Sequence, residues 1–164
     1  MSGLLVDSPA AVVANALVAI GLSVQQFLPT PTTPLVDWMT YIDNEPNVPD
    51  NCITVYNTVG IIDYQTHPDA ETCLHEGIQI RVRSVDEPTG YTKANQIAVL
   101  LMQSVNQMKV AVGMNSYLLQ AAIQKGPINA LYRESAPSRR RVFTINYVVA
   151  LRQLPYANIP ALPV

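Results

Sequence analysis

"RVFTINYVVALR", residues 141–152, places Phe143, Ile145, Tyr147, Val149 and Leu151 on one parity and Thr144, Asn146, Val148 and Ala150 on the other. A period of two sustained over this length, in β-branched and aromatic residues, predicts a long β-strand with one apolar face. Such a strand needs neighbours to pair with and something apolar to cover it. "IQIRVRS", 78–84, alternates the same way, with Ile78, Ile80 and Val82 against Gln79, Arg81 and Arg83. "NCITVY", 51–56, is β-branched, so these two segments are natural antiparallel partners. Tyr117 to Ile123 reads as a fourth strand.

The cover comes from two helical patterns. Ser8 and Pro9 supply an N-cap and a first-turn proline, and Val12, Val13, Ala16, Leu17 and Ile20 recur at helical spacing until Gly21. From Thr92, Ile97, Leu100, Leu101, Ser104, Val105 and Met108 share a second helical face. The segment 28–50 holds Pro29, Pro31, Pro34, Pro46 and Pro49, so regular structure there should be short. The stretch 57–77 is too long for a tight turn and polar at its centre, and reads as a mobile excursion. A loop through Gly126, Pro127 and Pro137 leads into the last strand. The expected architecture is α+β, a single mixed or antiparallel β-sheet with two amphipathic helices packed on one face and the other, more polar face free. Residues 1–154 form the single domain, and 155–164, with three prolines, form an extended C-terminal tail.

Only 13% of the residues are charged, well below the roughly 25% of ordinary soluble domains, which points to a surface that meets other protein. The charges are also zoned: residues 35–90 hold ten acids against Arg81 and Arg83, whereas 124–152 hold six bases against Glu134 alone. The longest apolar run, Ala10 to Leu22, is shorter than the roughly 20 residues of a membrane span, and no basic residue precedes it as in a signal peptide. Two cysteines, Cys52 and Cys73, fit a reducing cytosol better than a disulfide framework.

Chemistry finds little purchase. Cys52, His67, Cys73 and His75 lack the paired spacing of a zinc site, and the histidines lie in the expected excursion, away from any nucleophile. Asp86 and Glu87 flank a Pro-Gly turn, where solvated carboxylates are ordinary, and no glycine-rich phosphate loop occurs. No catalytic residue, cofactor or metal is expected. Arg139, Arg140 and Arg141 stand in a chain of net charge −2, which opposes free nucleic-acid binding. Opposite charge zones on one chain suit instead a head-to-tail contact between copies, which closes into a ring.

In the order "PDNCITVYNTVG", "EGIQIRVRS", "YTKANQIAVLL" and "RRRVFTINYVVAL", the chain resembles the tail terminator and minor capsid proteins of long-tailed bacteriophages, over roughly residues 5–152. The resemblance implies a structural virion protein: a hexameric ring at the head-proximal end of the tail, assembled in the host cytoplasm. Its partners would be itself, the tail tube protein and the head connector or neck proteins, with DNA passing through unread. A head completion or neck component, or a DNA-binding regulator, are the alternatives; salt-dependent binding to duplex DNA would single out the last. Arg133, Arg139, Arg140 and Arg141 are the expected subunit-interface or lumen residues. Asp63, Asp69 and Glu71 are the expected assembly loop, and Tyr156, Ile159 and Leu162 the docking residues of the tail.

Overall fold

The computed structural model describes residues 5–25, 38–61, 74–135 and 139–154. The elements run α1 (Pro9–Ala19), β1 (Val24–Gln25), β2 (Met39–Ile42), β3 (Cys52–Ile61), β4 (Leu74–Ser84), α2 (Glu87–Ser104), β5 (Met108–Val112), β6 (Asn115–Gln124), β7 (Asn129–Arg133) and β8 (Arg141–Gln153). The fold is α+β, with a curled mixed sheet in the order β1-β2-β3-β4-β8-β6-β5.

The long alternating strand is central. On one side β8 pairs antiparallel with β4 from Arg141 to Leu151. Its other side is divided, β6 taking the end toward Gln153 and β7 the end toward Arg141. The apolar parity of β8 enters one core with Ile78, Ile80 and Val82 of β4, Ile53 and Val55 of β3, and the buried residues of both helices. α1 begins as expected: Ser8 Oγ accepts from the Ala11 N–H at 3.2 Å, and Gly21 ends it at a φ of 75°.

Several elements depart from the sequence pattern for identifiable reasons. α2 begins at Glu87, five residues before Thr92, because Asp86 caps it by accepting from the Thr89 N–H at 2.8 Å. "EPTG" is thus a first helical turn rather than a turn between elements, and Gly90 is there because a Cβ would lie 2.6 Å from the Phe143 ring. Helix α2 buries Ala94, Ile97, Ala98 and Leu101, leaves Leu100 and Ser104 exposed, and stops before Met108, which opens β5.

Strands β3 and β4 extend into the expected excursion, to Ile61 and from Leu74, across a bulge between Thr58 and Ile61. Two glycines sit at a close backbone approach: a Cβ on Gly60 would meet His75 O at 2.3 Å, and one on Gly77 would meet Val59 O at 2.3 Å. Strand β7 was expected as loop; all five of its residues are exposed, so no alternation marks it.

β2 pairs parallel with β3. Parallel neighbours need a crossover, usually of a dozen or more residues with a helix. Here β2 is so short that residues 43–51 suffice, and they return across the polar parity of β3 and β4. That part of the sheet, expected to be free, is covered.

Candidate functional site

The covering segment has no helix to satisfy its backbone, so its polar groups depend on side chains beneath it. Arg83 supplies them. It is 3% exposed, its Nη2 donates to Pro49 O at 2.7 Å, and its Nη1 lies 3.1 Å from Glu45 Oε1. Arg81 Nε, on the same parity of β4, lies 2.8 Å from Glu45 Oε2. Arg81 also donates from Nη2 to the Tyr132 hydroxyl and stacks on the Tyr132 ring at 5.5 Å from its centroid. One carboxylate from the crossover is thus clamped by two guanidinium groups of the strand it crosses. Asn51 Oδ1 completes the seam by accepting from the Val85 N–H at 3.0 Å.

The arginine triplet divides. Arg140 Nε donates to Glu134 Oε2 at 2.5 Å, and its Nη1 donates to Asn47 O at 2.6 Å and meets Asp50 Oδ1 at 3.3 Å. These pairings hold its guanidinium in the charged form against the opposing effect of burial. Arg141 shares the apolar parity of Phe143 and pairs with Glu87 Oε2 at 3.0 Å. Arg139 lies in the tight β7–β8 connection, closed where the Glu134 N–H donates to Arg140 O at 2.8 Å. It is exposed, with a left-handed φ of 50°. Arg133, also exposed, donates from Nε to Arg139 O at 3.3 Å. Neither Arg133 nor Arg139 has an acidic partner among the described residues.

The zones that look opposed in the sequence therefore meet within one chain. Glu45 and Asp50 belong to the acidic middle, and Asp50 reaches Arg140 of the basic end. Among the described residues, Arg133 and Arg139 form a corner of the basic end that no acid neutralises. Asp63, Asp69 and Glu71, and Tyr156, Ile159 and Leu162, lie outside the described residues, as do His67 and Cys73. Glu45, which the charge pattern does not single out, is the residue on which the cluster turns. Its one sequence signal is indirect: two arginines on a strand crossed by covering chain need an acid.

Chemically the cluster is closed. The Cys52 thiol beside it is pushed up to about 11, chiefly by burial with Arg83 pulling the other way, so it stays protonated at neutral pH. Among the described residues no group of three His, Cys, Asp or Glu side chains could hold a metal ion, and no helix is long and apolar enough to cross a membrane. The arrangement can fix a surface and present a basic corner; it holds no reacting group.

Comparison with known proteins gives a family. Residues 23–150 match the family model described as bacteriophage tail terminator protein. No curated protein matches the chain. Several solved chains match it, among them one with a TM-score of 0.36 and 14% identity, covering 71% of this chain and 80% of that one.

Proposed function

This chain belongs to the bacteriophage tail terminator protein family, and from that premise we propose that it closes the head-proximal end of the tail tube as a ring of identical copies. As a member of that family it is a structural protein of the phage tail and a component of the virion. The proposal adds that the ring is hexameric, forms in the host cytoplasm, stops tube growth, and offers its far side to the head connector or neck proteins while DNA passes through. In each copy both helices lie on one face of the sheet.

The observation that carries this reading is the reach of the family match, from β1 through nearly all of β8. The corner of Arg133 and Arg139, which has no acidic partner among the described residues, supports it, because a heterologous contact can pair opposite charges on its two flanks; Asp63, Asp69 and Glu71 are the acids proposed for the other flank. Arg140 and Arg141 would then serve by shaping that corner from their pairings inside the chain.

Polymerising purified tube protein with and without this chain tests the proposal. Tubes of limited length, each capped by a ring in electron micrographs, are the expected result. Unchanged tube growth together with failure of heads to join finished tails would place the protein on the head side instead.

A further inference from the structure

Away from the arginines, Trp38, Pro88, Thr89, Thr92, Lys93 and Gln96 line an open groove of about 380 Å³ between the start of β2 and the first turns of α2. Its floor is the Trp38 ring, over which the Lys93 ammonium lies at 5.6 Å from the centroid. The lining has a specific chemistry. Trp38 and Pro88 give flat apolar plates, and Thr89, Thr92, Lys93 and Gln96 give hydrogen-bond donors, with no carboxylate among them. A polyproline II segment has the complementary character: flat pyrrolidine rings, and backbone carbonyls that no internal hydrogen bond consumes. From Ala94 to Ser104 helix α2 continues without a charge, and Tyr91, Val99, Leu100 and Met102 are exposed on it. A second copy can therefore lie against the helix without desolvating an ion.

The chain carries a matching segment. "PYANIPALPV", 155–164, has three prolines in ten residues and no charged side chain. It starts at the far end of the sheet, because Leu154 donates its N–H to Ser116 O beside the end of β8, whereas the groove lies near Gly90 and Phe143 at the opposite end. The ten residues of β8 between Phe143 and Gln153 span about 33 Å, and the three strand spacings from β8 to β2 add about 14 Å across. A ten-residue polyproline II tail reaches only about 31 Å. Residues 155–164 therefore fall short of the groove of their own copy.

We infer that the Trp38 groove receives the proline-rich tail, residues 155–164, of a neighbouring copy, so that each subunit of the assembly is strapped to the next. The inference rests on the reading of the chain as a self-assembling subunit and gives that assembly a receptor site. Proline rings pack on Trp38 and Pro88, and the tail carbonyls accept from Lys93 and Gln96. Pre-set φ angles make the docking cheap in entropy.

Trp38 is the single tryptophan and reports on its own groove. In the full-length chain its emission should shift to the blue as concentration rises, and a synthetic peptide of residues 154–164 should produce the same shift in dilute protein. Replacing Tyr156, Ile159 and Leu162 together with serine should abolish the concentration-dependent shift while leaving the response to added peptide. Gln96→Glu, which turns a donor toward the tail into an acceptor, should weaken the peptide about 10-fold. Identical emission of the tail variant and the unaltered chain at every concentration would overturn the inference. So would a tail-dependent shift that ignores concentration, since the tail would then be filling its own groove. Light scattering on the same samples reads assembly separately: copies that associate with Trp38 unmoved refute the strap alone, and copies that never associate refute the assembly reading.

Discussion

Arg83 and Arg139 belong to the same residue type and occupy opposite regimes. Under the 43–51 crossover, Arg83 is buried and matched to Glu45 and Pro49 O. At the β7–β8 connection, Arg139 is exposed, has no acidic partner among the described residues, and sits in a backbone region that arginine disfavours. The first is there because a helix-free crossover between parallel strands must find donors; the second joins the fold through its backbone, accepting from Arg133 Nε, and its guanidinium has no acidic partner among the described residues. Counting charge by region merges the two, and separating them is what turns a basic stretch into a statement about assembly.

The largest effect should come from breaking the buried side of this comparison. Arg83→Ala leaves the Glu45 carboxylate, which is 9% exposed, with Arg81 as its one remaining partner among the described residues, and leaves Pro49 O without its donor. Removing one partner of a buried pair costs about 3–5 kcal/mol; with Arg81 still facing Glu45 the loss should fall at the lower end, about 3 kcal/mol, enough at this chain length to lower the melting midpoint by roughly 6–12 °C. Urea unfolding should show that loss, and the double variant Arg83→Leu with Glu45→Leu should regain part of it, since Arg81 loses its acid but is 21% exposed and keeps the Tyr132 hydroxyl. A loss below about 1 kcal/mol for Arg83→Ala would mean that the crossover is not anchored there.

Arg140 sits between the extremes and should behave accordingly. It is 11% exposed, but its partners Glu134 and Asp50 are 20% and 60% exposed and can rehydrate when it is removed. Arg140→Ala should cost about 1–2 kcal/mol in the same unfolding measurement, reflecting charge-assisted bonds lost from a partly wet site. Arg140→Lys should recover only part of that, because one ammonium cannot serve Glu134, Asp50 and Asn47 O in the fork the guanidinium uses. Full recovery with lysine would show that charge alone holds the hairpin.

How much of this the sequence discloses follows from which interactions are local. β8, α1 and the antiparallel pairing of β3 with β4 are legible because alternation, a Ser-Pro cap and β-branched runs act over a few residues. Strand β7 carries no burial pattern, and the length and polar centre of 57–77 conceal that Gly60 and Gly77 let β3 and β4 approach closely. The start of α2 is concealed because Pro88 and Gly90 are turn residues until Phe143, far away in sequence, explains the glycine. For the candidate site, the arginines are visible at once but their partners are not. Glu45 and Asp50 meet them only because a parallel crossover returns over β4, a topological fact that no local spacing encodes. The basic corner is what remains after that pairing, so it could not be isolated beforehand.

The smallest effect on stability, and the sharpest test of the comparison, belongs to Arg139. A non-glycine residue in the left-handed region costs about 1–2 kcal/mol relative to the right-handed one, and glycine removes that penalty. If Arg139 served the fold, Arg139→Gly would lower stability by deleting its side chain. Since its guanidinium has no acidic partner among the described residues, the substitution should instead leave the unfolding midpoint unchanged or raise it slightly. Association should move the other way. Arg133→Glu with Arg139→Glu should leave the monomer folded, within about 0.5 kcal/mol, yet weaken self-association or tail assembly, and added salt should partly reproduce that weakening in the unaltered chain. Each exposed pair contributes only ~0–1 kcal/mol, but the same contact recurs at every interface of a closed ring, so the losses add. Sedimentation of the unaltered and doubly substituted chains over a range of salt decides it: equal association at low salt would show that the corner faces something other than a second copy.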